Sequence, residues 1–90
     1  MVNYYLKENT DEKVIYEYYP EDDKSKQAGI ITIDKINEKI QLTRVAEQDS
    51  ESYAPEFNER WWRYYDHAQR QIVRDYNNGE IKDYGMVAWY

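Results

Sequence analysis

YAPEFNERWWRYYDHAQRQIVRDYNN, from Tyr53 to Asn78, is the longest amphipathic stretch of this 90-residue chain. Its apolar residues recur at three- and four-residue spacing, which is typical of a helix with one buried side. They are Ala54, Phe57, Trp61, Tyr64, Tyr65, Ala68, Ile72 and Tyr76. The Asn-Asn-Gly sequence over residues 77–79 tolerates left-handed backbone and marks the end of the helix. The pattern therefore predicts one helix over about residues 53–78.

The aromatic residues of this helix divide between a core and its border. Because the sheet must cover one side of the helix, we expect Trp61 and Tyr64 to lie in the core of the chain. Trp62, Tyr65 and Tyr76 flank that side, and we expect them at the border, where a partner reaches them.

Short segments of alternating apolar and polar residues surround the helix in the sequence. They lie at about residues 2–7, 13–19, 29–34 and 39–45, with a last apolar run at 86–90. Alternation with a period of two is typical of half-buried strands, and polar turn residues separate the segments. The order β-β-β-β-α-β predicts an α+β fold in a single domain over residues 1–90, with one long helix packed on one face of an antiparallel sheet of four to five strands.

Two features of this pattern favour a homodimer. A helix of about 24 residues is roughly 36 Å long, whereas a strand of six or seven residues spans about 20 to 24 Å, so the helix would overhang the sheet. In addition, the second strand is apolar on both sides, with Val14, Tyr16 and Tyr18 on one and Ile15 and Tyr19 on the other. Exposed aromatic surface of this kind marks interaction sites, and a second copy of the chain would cover it.

Composition argues against an enzyme that works with its own side chains. The chain has no cysteine, one histidine and three glycines. These numbers exclude disulfides, thiolate metal sites and glycine-rich phosphate loops, so we expect no catalytic residues, no metal and no cofactor. His67 has no carboxylate three or four residues away to orient it, and we expect it to be a solvated surface residue.

The charge of the chain is negative and unevenly distributed. The formal net charge is −6, and residues 1–52 hold twelve acids and seven bases. An acidic surface disfavours nonspecific binding to nucleic acid or to anionic membranes. The N-terminal sequence lacks a signal-peptide pattern, and no apolar run approaches the roughly 18 residues of a membrane span. We therefore expect a cytoplasmic protein without membrane contact.

One basic feature stands out against this acidic background. Arg60, Arg63, His67, Arg70 and Arg74 are spaced three, four, three and four residues apart and share one sector of the predicted helix. This arginine stripe has two interpretations. It is a docking strip for phosphates or an acidic partner, or it is a solvated face paired with the chain's own acids, and we favour the second because an amphipathic helix must expose charge somewhere.

Two segments carry a resemblance to known sequences. VIYEYYPEDDKSK, from Val14 to Lys26, and YGMVAWY, from Tyr84 to Tyr90, resemble segments of small uncharacterised proteins of low-GC Gram-positive bacteria. Such a family has no assigned activity, so the resemblance implies no functional residues.

The sequence therefore favours a small non-enzymatic protein-interaction module that acts as a homodimer and possesses a surface for another protein. Two alternatives remain open. The first is a nucleic-acid-associated regulator that uses the arginine stripe, and the second is an acidic decoy that mimics DNA.

Overall fold

The computed structural model describes residues 1–54, 56 and 59–89, without the side chains of residues 52–54, 59 and 60. Within these residues the chain forms seven strands and one helix, in the order β1 (Val2–Asn9), β2 (Lys13–Pro20), β3 (Gly29–Asp34), β4 (Lys39–Arg44), β5 (Glu51–Ala54), β6 (Glu59–Trp62), α1 (Arg63–Asn77) and β7 (Tyr84–Val87).

The main sheet has five strands in the order β4-β3-β2-β1-β7, and every neighbouring pair is antiparallel. The first four strands form consecutive hairpins, and β7 returns from the helix to pair with β1. The helix α1 packs on one face of this sheet. The predicted α+β class and the antiparallel sheet with one covering helix are confirmed.

The core lies between α1 and alternate residues of the three central strands. These residues are Val2, Tyr4, Val14, Tyr16, Tyr18, Ile31 and Ile33, with Ala68 and Ile72 from the helix. Full burial of an apolar side chain of this size contributes roughly 1.5 to 3 kcal/mol, so this layer is the main source of the fold's stability.

A row of two tyrosines and two glycines crosses the helix-covered side of the sheet. Backbone pairing places Gly85, Tyr4, Tyr18 and Gly29 side by side on four neighbouring strands. A Cβ atom on Gly29 would overlap the ring of Tyr18, and one on Gly85 would overlap the ring of Tyr4. Each ring therefore lies over its glycine, which explains why these two strand positions lack a side chain.

Two of the buried tyrosines, Tyr16 and Tyr18, have hydrogen-bond partners for their hydroxyl groups within the protein. The Tyr16 hydroxyl donates to the carbonyl oxygen of Lys82 at 2.6 Å. The Tyr18 hydroxyl donates to the Asp49 carboxylate at 2.7 Å and accepts from the backbone N–H of Ala46 at 3.1 Å. Burial raises the pKa of Tyr16 and of Tyr4 to about 12, and it also raises the pKa of Tyr18.

These raised pKa values have a consequence for stability at alkaline pH. The folded protein holds its tyrosine protons more tightly than the unfolded chain, whose tyrosines have a pKa of about 10. The stabilising contribution is complete below about pH 10 and is lost as the pH rises toward about 12. We expect the free energy of unfolding, measured in urea, to fall steadily over this range and phenolate absorbance to appear together with unfolding. Tyr16→Phe should make the free energy of unfolding fall less steeply with pH. A free energy of unfolding that stays constant up to about pH 11 would contradict the expectation.

The helix begins ten residues later than predicted. A helix was predicted from residue 53, but α1 begins at Arg63, and Glu51–Ala54 and Glu59–Trp62 pair as an antiparallel hairpin. The cause lies upstream in the chain. The N–H of Arg63 donates to the Ser50 carbonyl at 3.0 Å, and the N–H groups of Tyr64 and Tyr65 donate to the Asp49 carboxylate at 2.8 and 3.1 Å. Since these donors are already bonded, the helix does not extend backward through residues 59–62.

The length of the helix removes one reason to expect a partner. With 15 residues, α1 is about 22 Å long, which matches strands of six to eight residues at about 20 to 27 Å. The predicted overhang beyond the sheet is therefore wrong. The helix ends where the sequence indicates, at Asn77, and Gly79 adopts the left-handed conformation with φ 81°.

Two further predictions differ from the structure. The last strand covers Tyr84–Val87 rather than residues 86–90, of which Tyr90 lies outside the described residues. Trp61, predicted in the core, is 38% exposed because it belongs to β6 and not to the helix. Tyr64, also predicted in the core, is only half-buried and packs against the buried cluster from its border, as Tyr65 and Tyr76 do.

Candidate interaction surface

The side of the sheet opposite α1 presents a group of aromatic side chains. Alternation along β1, β2 and β7 places Tyr5, Tyr19, Tyr84 and Met86 on this side, around Asn3. We call these five residues the tyrosine face. Tyr84 is 53% exposed and Met86 is 51% exposed, whereas Tyr5 and Tyr19 are half-buried. Large apolar side chains are therefore concentrated at the end of the sheet that β7 forms.

The rings of the tyrosine face contact each other. The ring centroids of Tyr5 and Tyr19 are 5.8 Å apart at a steep angle, and those of Tyr5 and Tyr84 are 5.3 Å apart. Such aromatic pairs contribute roughly 0.5 to 1.5 kcal/mol beyond their buried area, so each ring holds its neighbour in place. The face is consequently a preorganised surface rather than a set of separate side chains.

Charged groups hold the central ring of this face. The Tyr5 hydroxyl donates to the Asp22 carboxylate at 2.6 Å, and this hydrogen bond raises the pKa of Tyr5. The Lys24 ammonium lies 4.3 Å from the centre of the same ring, at cation–π distance. Both charges come from the loop after β2, so the loop fixes the ring from one side.

Asn3 lies beneath these rings and is only 3% exposed. Its Nδ2 donates to the Tyr84 hydroxyl over a long 3.4 Å, and its Oδ1 is buried without a hydrogen-bond partner among the described residues. A buried unpaired carbonyl oxygen costs about 1 to 3 kcal/mol. The unpaired Oδ1 of Asn3 at the centre of the tyrosine face therefore lowers the stability of the single chain.

The other half of the same side of the sheet mixes polar and apolar residues, with Ile15 and Ile30 half-buried among the polar side chains. Lys7 and Glu17 form an ion pair at 3.2 Å, and the hydroxyls of Thr32 and Thr43 are 2.7 Å apart. These polar groups partner each other, and the two isoleucines beside them are half-buried. The aromatic rings therefore lie toward the β7 end of the open side, and the ion pair and threonines lie toward the β4 end.

The predicted arginine stripe is distributed over two elements, with Arg60 on β6 and the other four positions on α1. Arg60 belongs to β6, and its side chain lies outside the described residues, so the five positions do not share one helix. Arg63, Arg70 and Arg74 are exposed on α1. Arg70 pairs with Asp66 at 3.0 Å, one turn before it. The helical register that motivated a five-residue docking strip is therefore wrong.

His67 does not point freely into water. Its ring stacks on Trp89 with centroids 3.9 Å apart and planes within 9° of parallel, and the ring centroids of Tyr64 and Trp89 are 5.3 Å apart at a steep angle. The predicted solvated histidine is wrong because the segment after β7 folds back over the helix. The stack attaches the end of the chain to α1.

The remaining predicted interaction residues border the core. Tyr65 and Tyr76 pack against the buried cluster while remaining half-exposed, and Trp62 is half-buried immediately before the helix. Tyr76 also lines an open cleft of about 320 Å³ between α1 and β4. The cleft is lined by Ile33, Glu38, Lys39, Ile40, Val73, Tyr76 and Asn77. Its single carboxylate and single ammonium provide no arrangement suited to acid–base chemistry.

Sequence reasoning identified only part of this surface. Ile15 and Tyr19 indicated that the second strand has apolar residues on both sides, but Tyr84 and Met86 were missed as members of the same face. A strand placed at residues 86–90 leaves Tyr84 outside the sheet. The signal that could have identified it is the alternation of Tyr84 and Met86 with Gly85 and Val87.

Comparison of the chain with protein-family models, curated proteins and solved structures found no match in any of the three. Among the described residues, no group of three or more histidine, aspartate or glutamate side chains is placed to hold a metal ion. The helix that the structure describes is too short and too polar to cross a membrane.

Proposed function

We propose that this protein is a small non-enzymatic interaction module that acts as a homodimer, with the tyrosine face as the contact surface. The observation that carries this proposal is the half-exposed pair Tyr84 and Met86 beside a packed group of tyrosine rings. Tyrosine and methionine are enriched at the centres of protein interfaces, where charged residues are depleted. The tyrosine face has this composition, whereas the rest of the same side of the sheet has charged and threonine side chains beside Ile15 and Ile30.

The described polar groups support a role without catalysis. His67 stacks on Trp89, Asp49 binds the start of the helix, and the buried Asp75 accepts a hydrogen bond from Gln71 at 3.0 Å and pairs with Lys82 at 3.5 Å. Each of these groups has a structural partner. A catalytic nucleophile and base would instead lie within hydrogen-bond reach of each other in a cleft.

The arginine stripe gives less support to a nucleic-acid-associated regulator than its spacing suggested. Arg60 is not on the helix, Arg70 is paired with Asp66, and the net charge of the chain is −6. An acidic decoy that mimics DNA also lacks support, because the exposed cluster that distinguishes this surface is aromatic rather than acidic.

The test measures self-association by light scattering at micromolar concentration. We expect the wild-type chain to have the mass of a dimer and Tyr84→Glu with Met86→Glu to have the mass of a monomer, because each substitution would bury a charge in the interface. Ile36→Glu is the matched control. Ile36 is 69% exposed, more than either residue of the tyrosine face, but it lies in the turn between β3 and β4.

The results have distinct meanings. A wild-type chain that stays monomeric would refute the homodimer. If Ile36→Glu dissociates the dimer and the double variant does not, the interface does not lie on the tyrosine face. The circular dichroism of all variants should match that of the wild type, because none of the three positions lies in the buried core.

A further inference from the structure

The two edge strands of the main sheet, β4 and β7, differ in how well they are protected against pairing with another strand. An exposed strand edge presents unpaired backbone groups, and proteins that avoid edge pairing place lysine, other charges or bulges there. β4 has all of these features, with Lys39, Arg44 and a register shift against β3. β7, with the sequence YGMV, has no charged residue. The edge formed by β7 is therefore open to another strand.

The backbone groups that β7 presents at this edge can be identified. The N–H of Leu6 donates to the Asp83 carbonyl at 2.8 Å, in line with the pairing of β1 and β7. Hydrogen-bonded pairs alternate along an antiparallel ladder, so Gly85 and Val87 direct their backbone groups toward β1. Tyr84 and Met86 direct theirs outward, where β7 has no neighbouring strand within the described part of the sheet.

The residues with outward backbone groups are also the half-exposed residues of the tyrosine face. The edge and the face are thus one continuous surface, with unpaired backbone on its rim and apolar side chains beside it. A partner strand with free backbone groups and apolar side chains could bond the unpaired backbone of β7 and cover its exposed side chains. β7 of a second copy is such a strand, because its outward backbone groups and side chains are the same. Pairing of identical uncharged strands brings no like charges together.

We propose that two copies join through antiparallel pairing of their β7 strands about a twofold axis at Gly85, so that two five-stranded sheets form one of ten strands. In this register Tyr84 of one copy lies opposite Met86 of the other, and the two exchange backbone hydrogen bonds on each side of the axis. This inference rests on the proposed homodimer and specifies how it is built.

The register fits two features of β7. Gly85 opposes Gly85 of the second copy in a non-hydrogen-bonded pair, where strands approach to about 4.5 Å between Cα atoms. Tyr84 and Met86 of the second copy lie on the same side of the joined sheet, so each half-exposed side chain covers the other. The two tyrosine faces adjoin across the axis, and Tyr84 and Met86 form the contact between them.

The absence of cysteine allows a direct test by disulfide cross-linking. Tyr84→Cys and Met86→Cys are made as separate proteins, mixed and oxidised. Opposed residues in a hydrogen-bonded pair are about 5.5 Å apart between Cα atoms, within the range of a disulfide, whereas positions diagonal to each other exceed it. We expect the mixture to form cross-linked dimer at least about tenfold faster than either protein alone. Gln41→Cys, on the β4 edge, is the control and should not cross-link.

Hydrogen exchange on the unmodified chain provides a second measurement that requires no substitution. The amides of Tyr84 and Met86 should become protected as the concentration rises through the dimerisation range, while exchange at the β4 edge stays constant.

The outcomes separate this inference from the proposed function. A monomer in light scattering would overturn both. A dimer in which the mixture does not cross-link and the two amides gain no protection would overturn edge pairing and leave the homodimer intact. If Met86→Cys alone cross-links as fast as the mixture, the axis at Gly85 is wrong.

Discussion

Asp49→Ala is expected to lower the free energy of unfolding by roughly 3 kcal/mol. The carboxylate accepts backbone hydrogen bonds from Tyr64 and Tyr65 at the start of α1 and a hydroxyl hydrogen bond from Tyr18 in the core. Loss of a helix cap costs about 0.5 to 2 kcal/mol, and hydrogen bonds to a charged group contribute about 1.5 to 3 kcal/mol. The alanine variant would also leave the buried Tyr18 hydroxyl without its acceptor.

Urea unfolding followed by circular dichroism measures this effect. Asp11→Ala, in the exposed turn between β1 and β2, is the matched control and should change stability by less than about 0.5 kcal/mol. Tyr18→Phe keeps the two backbone contacts of Asp49 but removes its hydroxyl contact and also the acceptor of the buried Ala46 N–H, so its cost reports on the hydroxyl and not on the cap. If Asp49→Ala behaves like Asp11→Ala, the carboxylate does not determine where the helix begins.

The same carboxylate shows why the strands could be predicted and the start of the helix could not. β1 to β4 are consecutive hairpins whose alternation and turns lie within the segments themselves, as in Ile31 and Ile33 of β3. The end of the helix is local too, at Asn77 and Gly79. Its start depends on Asp49, which is far from Arg63 in sequence and is held in place by Tyr18 from another strand. The helical sequence pattern of residues 53–62 does not indicate that Asp49 binds the start of the helix.

The interaction surface was only partly predictable for a related reason. Alternation shows that a strand has two sides, as with Tyr18 and Tyr19 of β2, but it does not show which side the helix covers. That choice follows from the packing of Ala68 and Ile72 against the sheet. Trp61 and Trp62 are adjacent and by themselves distinguish neither a period of two nor one of 3.6, so their assignment to a strand needed the pairing of β5 with β6.

Gly29→Ala is expected to destabilise the fold by roughly 3 kcal/mol, although the substitution adds a single methyl group. Gly29 pairs with Tyr18 across the sheet, and the added Cβ would overlap the Tyr18 ring. That ring cannot move away cheaply, because it is fully buried and its hydroxyl is bonded to Asp49 and Ala46. A displaced ring would also weaken the contact that holds Asp49 at the start of the helix. The substitution therefore affects both the sheet and the cap, and urea unfolding gives its cost.

A double-mutant cycle with Tyr18→Leu isolates this mechanism. Leucine lacks the ring that covers Gly29, so Gly29→Ala should cost less than about 1 kcal/mol in that background, and the coupling between the two positions should be about 2 kcal/mol or more. Gly79→Ala is the matched control, because a Cβ there meets no atom within 4 Å and the cost comes only from its left-handed backbone with φ 81°. We expect about 1 to 2 kcal/mol for Gly79→Ala regardless of the residue at position 18. Equal costs of Gly29→Ala with tyrosine and with leucine at position 18 would mean that backbone conformation, rather than the ring over Gly29, requires glycine there.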